Sequence, residues 1–200
     1  MNELEQAISE IEKRTGVRPG FFEELIHEDD WSFIIKSHAL IESACAQILS
    51  EKTGVKETID IFSRLELGAR NTGKLAFLKA YGLLIEKERR FISALSELRN
   101  TLVHNVSHTS FVLHDYVNSL DKNQRAKFVE DFGYAYLSEI SNEAERAKCR
   151  EKILAEPKKS MWLGIKYILG LISLQIDQIR LQQEIIEMKS RTKILPSEKI

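Results

Sequence analysis

Along the chain, apolar residues recur every three or four positions with polar and charged residues between them, the period of a helix packed by one face. Leu4, Ile8 and Ile11 give a short helix over residues 2–15, which Arg18-Pro19-Gly20 closes as a turn. Asp29 and Asp30 are N-cap candidates for a long helix running to about Lys52, with Ile34, His38, Ile41, Cys45 and Ile48 at helical spacing. Thr53-Gly54 ends it. A short helix through Ile59, Phe62 and Leu65 follows, then the loop Gly68–Gly73, a helix over Leu75–Leu84, and a helix from about Lys87 to His104 whose stripe is Ile92, Leu95, Leu98 and Leu102. After the polar break 105–110, Phe111–Leu120 reads as a helix, with a strand the weaker alternative. Asp121 caps a helix burying Phe128, Phe132 and Tyr136, and Ser141 caps another through Ile153. Pro157 breaks the pattern before a long last helix, from about Ser160 to Met188, carrying Trp162, Ile165, Ile168, Leu169, Ile172, Ile176, Ile179 and Ile186.

No alternating run is long enough for a firm strand. The expected fold is therefore all-α: an antiparallel helical bundle with a long C-terminal helix. Residues 1–28 are expected as an N-terminal helical extension, 29–190 as a single bundle domain, and 191–200 as a frayed polar tail. Two hundred residues suit one domain with a substantial core, and 43% apolar against 30% charged residues, with 3 Pro and 9 Gly, is a globular composition.

The net charge of −1 excludes wholesale polycation behaviour, so any nucleic-acid binding must come from a local patch. Seven basic residues stand against three acids between Arg64 and Arg90, whereas residues 1–30 hold nine acids and three bases. Arg64, Arg70, Lys74, Arg89 and Arg90 are the phosphate-binding candidates, and two solvated faces of opposite sign are the plainer account. Cys45 and Cys149 give neither a disulfide framework nor a zinc site. The opening MNELEQ lacks a secretory pattern, and the most apolar segment, Met161–Ile176, is short for a span and contains Lys166. A cytoplasmic protein with no membrane association is expected.

Gly68–Lys74 matches GxxxxGK, the first part of a phosphate-binding loop, but Leu75 stands where the magnesium-binding hydroxyl belongs and no strand leads in. An inter-helix turn is the expectation there. His108 and His114 do not form a one-face set with His104, so no metal and no cofactor are expected.

The most specific chemistry lies in Arg99-Asn100-Thr101-Leu102-Val103-His104. Asn100 and His104 share a helix face. Arg99 lies about 140° round the helix from His104 at about 100° per residue, so its long arm, or a second copy of the helix, must close the gap. A guanidinium suits a phosphorane, and an imidazole titrating at ~6.5 can move protons near neutrality. Behind this group His38 is a site candidate, and Glu42 and Ser43 near it on the same helix could supply a polar contact to the Arg99–His104 helix; a buried neutral histidine is the plainer reading of His38.

This hexapeptide resembles the Arg-x(4–6)-His motif of HEPN domains, and Asp29–Ser110 is similar to small bacterial proteins grouped with the mannitol operon repressor family. The resemblance implies a homodimer of helical bundles and, in active members, metal-independent RNA cleavage in a toxin–antitoxin or phage-defence setting. Arg99 and His104 would be the catalytic pair and Asn100 their orienting partner. Toxins of this group silenced by a nucleotidyltransferase antitoxin carry a tyrosine two residues after the histidine; Val106 stands there here, which argues against that control. Other members are non-catalytic, so the alternative expectation is a regulatory or protein-interaction module with Arg99 and His104 buried against the earlier long helix.

Overall fold

Helix α3 (Asp30–Thr53) packs against most of the helices that precede residue 104 and against the long C-terminal helix. The Asp29 carboxylate caps it by accepting from the Ser32 amide at 2.8 Å, and those hydrogen bonds hold the carboxyl below its ordinary range. Gly54 ends it in the left-handed region at φ 70, where a side chain would be strained. Between these stops Phe33, Ile34, Ile41, Cys45, Ile48 and Leu49 are fully buried.

The computed structural model describes residues 2–69, 71–104, 109–137 and 140–192, and among them the chain forms only helices and turns. In order these are α1 (Glu3–Thr15), α2 (Phe21–Glu24) with a 3-10 turn at Leu25–His27, α3, α4 (Thr58–Arg64), α5 (Lys74–Ala80), α6 (Glu86–Val103), α7 (Leu113–Ser119), α8 (Lys122–Phe132), α9 (Tyr134–Leu137), α10 (Glu143–Ala155) and α11 (Pro157–Thr192). The all-α class expected from periodicity is the one observed. No described helix is long and apolar enough to cross a membrane.

Chain direction departs from the expected antiparallel bundle. Helix α6 does oppose α3: Trp31 Nε1 donates to the Leu102 carbonyl at 3.4 Å, and His38 faces Ser96. Helix α11, however, runs parallel to α3. Lys158 Nζ sits 3.1 Å from Asp30 Oδ1 where both helices begin, and Arg180 Nη2 sits 2.7 Å from Glu51 Oε2 where α3 ends. Helices α7 to α10 intervene and return the chain to the starting end of α3 before α11 sets off.

Residues 2–28 are part of this core rather than an appendage. Ile8 and Ile11 are buried, Arg14 pairs with Asp177 of α11 at 3.0 Å, and Gln47 of α3 donates to the Arg14 carbonyl. The buried Glu12 carboxylate accepts the Gly20 and Phe22 amides at 2.9 and 2.8 Å, which fixes the turn through Arg18-Pro19-Gly20.

Smaller boundary shifts have local causes. Helix α5 stops at Ala80 because Gly82 and Leu84 both adopt positive φ, so Leu83 and Leu84 belong to a turn. Asn142 rather than Ser141 caps α10, accepting from the Ala144 amide. Pro157 opens α11 instead of merely preceding it, since its missing N–H is of no consequence in the first turn.

Candidate functional site

The stripe Phe91, Ile92, Leu95, Leu98 and Leu102 anchors α6 against the core, as its spacing predicts. That orientation leaves a polar edge on the same helix: Ser93, Ser96, Arg99 and Asn100. Helix α6 stops at Val103, and His104 follows at φ −83, ψ −5, just past the last helical residue. His104 keeps right-handed helical backbone angles, so the side chains rather than a break in the helix bring the two groups to one cavity. Both line one cavity of about 540 Å³ within a single chain, together with Asn100, His38 and Glu42. Residues 66–69, ahead of α5, form the remaining wall.

Arg99 Nη1 donates to Asn100 Oδ1 at 3.0 Å, so the amide steadies the guanidinium. Arg99 is half-buried, while Asn100 and His104 are exposed. Behind them runs a chain of polar contacts from three helices. His38 Nε2 lies 3.3 Å from Ser96 Oγ, His38 Nδ1 lies 3.9 Å from a Glu42 oxygen, and the other Glu42 oxygen accepts from Lys74 Nζ at 2.9 Å. Burial holds the His38 imidazole below its ordinary pKa; Glu42 opposes this, and the positive charges of Arg99 and Lys74 add to it. His38 is accordingly neutral at pH 7, the plainer reading of that residue. Glu66 and Glu97 also line the cavity, and among its described lining residues Arg99 is the one arginine or lysine.

The basic patch is redistributed. Lys74 is 0% exposed, and its ammonium donates to Glu42 Oε1 and to the carbonyls of Leu65 and Ser63. Its expected phosphate-binding role is corrected: the charge is internal and already paired. The GxxxxGK loop is explained at the same time. The amides of Gly73, Lys74 and Leu75, which a phosphate cradle would leave open, donate to the carbonyls of Ala69, Glu66 and Leu67 at 2.9 to 3.1 Å. Gly73 is required by close approach, since a Cβ there would lie 2.6 Å from both Ala69 N and O.

Arg89 donates to the carbonyls of Leu83 and Leu84 at the turn before α6. Arg90 is held by Glu130 at 2.6 Å and Asp131 at 3.1 Å. Arg64 is exposed but does not line the cavity. Arg70, Val106 and His108 lie outside the described residues, as does the tail 193–200. Among the described residues no group of three or more His, Cys, Asp or Glu converges as a metal set would.

Ser96, Glu66 and Glu97 are cavity residues that sequence reasoning did not single out. The serines Ser93 and Ser96, followed by Asn100, form a polar edge at helical spacing beside the apolar stripe, and that signal was available. Glu66 had none, because a loop joined to α6 only through the fold leaves no local pattern. Comparison with known proteins returns no matching family model, curated protein or solved structure.

Proposed function

We propose that this chain is a metal-independent endoribonuclease of the HEPN type, with its reaction centre in the Arg99–Asn100–His104 cavity. One observation carries the reading: a steadied guanidinium and an open imidazole line the same solvent-accessible cavity, above a polar network that ties the helix bearing them to α3. The reaction is internal transesterification of RNA. His104 takes the proton of a ribose 2′-OH, the 2′-oxygen forms a bond to phosphorus, and the bond from phosphorus to the 5′-oxygen breaks. Water in the open cavity protonates the departing oxygen. Arg99 neutralises the dianionic phosphorane with a fork of donors, and Asn100 keeps that fork aimed. General-base removal of the 2′-OH proton contributes typically about 10²–10⁴-fold.

A toxin or defence setting and a homodimeric assembly go with this reading. The second reading, a non-catalytic regulatory or interaction module akin to the mannitol operon repressor group, is favoured by the state of the other cations. Lys74, Arg89 and Arg90 are held by the chain itself, and acids share the cavity with Arg99. The test is cleavage of single-stranded RNA and tRNA in EDTA by the wild type, Arg99→Ala and His104→Ala. The ribonuclease reading predicts EDTA-resistant cleavage lost in both variants with helicity unchanged. Uncut RNA with the wild type across pH 6–8 would sink it and leave the second reading.

A further inference from the structure

A second cavity, of about 810 Å³, lies between α8 and α10 and shares no lining residue with the Arg99 site. Lys122, Arg125, Ala126 and Val129 follow one another at helical spacing on α8, and Arg146, Arg150 and Leu154 stand four apart on α10, so each helix gives the cavity one face. Leu120 and Leu137 complete an aliphatic lining with Val129 and Leu154. Charge sets this cavity apart. The Arg99 cavity holds one arginine among three glutamates; this one holds four cations and one glutamate, Glu130, whose carboxylate is held by Arg90 at 2.6 Å. Arg146 and Arg150 share a single carboxylate, that of Glu143, at 4.0 and 2.7 Å, and it is 73% exposed. Arg125 donates to the carbonyls of Leu120 and Asn118, which fix the guanidinium without cancelling its charge. Among the described residues no carboxylate lies within 4.0 Å of the charged groups of Lys122 or Arg125.

We infer that this cavity binds a small amphiphile: a phosphate monoester head on a short aliphatic chain. Its volume falls within the range of about 300–1,000 Å³ typical of small-molecule sites, which pair an apolar lining with a few convergent polar groups. Guanidinium forks match phosphate oxygens two at a time, and the surplus of positive charge favours a dianionic head over a single carboxylate. Among the described lining residues there is no aromatic ring on which a nucleobase would stack, so the body of the ligand is a hydrocarbon chain. Lys122 and Val129 are about 10 Å apart along α8 at 1.5 Å per residue, the length of a short chain with its head at one and its tail at the other. The inference is independent of the reaction proposed above.

Isothermal titration of the full chain with octyl phosphate, below its aggregation threshold, tests it. One molecule is expected to bind per chain, at least about tenfold more tightly than octanol, which lacks the head, or inorganic phosphate, which lacks the tail. Lys122→Glu/Arg150→Gln removes two cations, and Ala126→Trp fills the cavity from an exposed position. Both variants should weaken binding at least about tenfold with helicity unchanged. Arg99→Ala should leave the affinity intact, which separates this site from the Arg99 cavity. Flotation with phosphatidic acid vesicles distinguishes the source of the head. Co-flotation lost in the same variants supports the inference with a membrane lipid as ligand, and binding in the titration alone supports it with a soluble one. No saturable binding of octyl phosphate would overturn it. So would octanol or inorganic phosphate binding as tightly, an affinity that both cavity variants leave unchanged, or one that Arg99→Ala abolishes.

Discussion

Replacing Lys74 with methionine separates an internal strut from a phosphate ligand. The apolar stem is kept, so packing changes little and the loss is polar. A hydrogen bond between charged partners is worth about 1.5–3 kcal/mol, but the Glu42 side chain is 33% exposed and water replaces much of that bond, leaving about 1 kcal/mol. The carbonyl of half-buried Leu65, and more weakly that of exposed Ser63 at 3.5 Å, lose their donor, at about 2 kcal/mol within the range of about 1–3 kcal/mol for an acceptor left unpaired. The sum is about 3 kcal/mol, or a fall in Tm of about 6–12 °C for a chain of this size. Lys74→Ala also deletes three buried methylenes at about 0.8 kcal/mol each, giving about 5 kcal/mol. Urea unfolding and calorimetry of both variants measure this. If Lys74→Met unfolds within about 0.5 kcal/mol of the wild type, as a surface change would, while weakening RNA binding, the buried pairing is wrong and the phosphate role returns.

Two further perturbations probe the same neighbourhood. Gly73→Ala pushes a methyl against the backbone of Ala69 and Glu66, with a contact at 2.6 Å; we expect a loss of about 1–3 kcal/mol and displacement of the 66–69 wall. An unfolding midpoint equal to the wild type's would refute the close approach. His38 gives a pH dependence: burial lowers its folded-state pKa, so the unfolded chain takes up the proton first, near ~6.5. Its contribution is complete above that pH and is lost as pH falls toward the native value, so urea stability should decline from pH 7.5 to 5.5. His38→Gln should flatten that decline; an unchanged slope would remove His38 as its source.

What could be read in advance follows the range of the interactions. The α6 stripe from Ile92 to Leu102 and the α3 caps at Asp29 and Gly54 depend on neighbours within a turn or two, and the residue pattern shows them directly. The sequence places Lys74 in the basic patch because its partner Glu42 lies 32 residues upstream and reaches it only through the packing of α5 on α3. Arg90 counts with the basic patch for the same reason, its carboxylates being 40 and 41 residues away on α8. Nor could periodicity show that α11 runs parallel to α3, since direction depends on the path taken by α7 to α10. For the site, helical spacing sets Arg99 and His104 about 140° apart and leaves either the long arginine arm or a second copy of the helix to close the gap. Both nevertheless line one cavity within a single chain, His104 still carrying right-handed helical backbone angles, so the reach of the long arginine arm closes the gap.

The central claim is that the ribose 2′-OH is the nucleophile and His104 its base. The most direct measurement uses end-labelled single-stranded RNA with and without one 2′-deoxy residue at the mapped cleavage position, with analysis of the product ends. The account predicts a 2′,3′-cyclic phosphate and a 5′-hydroxyl from the all-ribose strand, and no cut at the deoxy position. Products bearing a 3′-hydroxyl and a 5′-phosphate, or cleavage that ignores the missing hydroxyl, would contradict it.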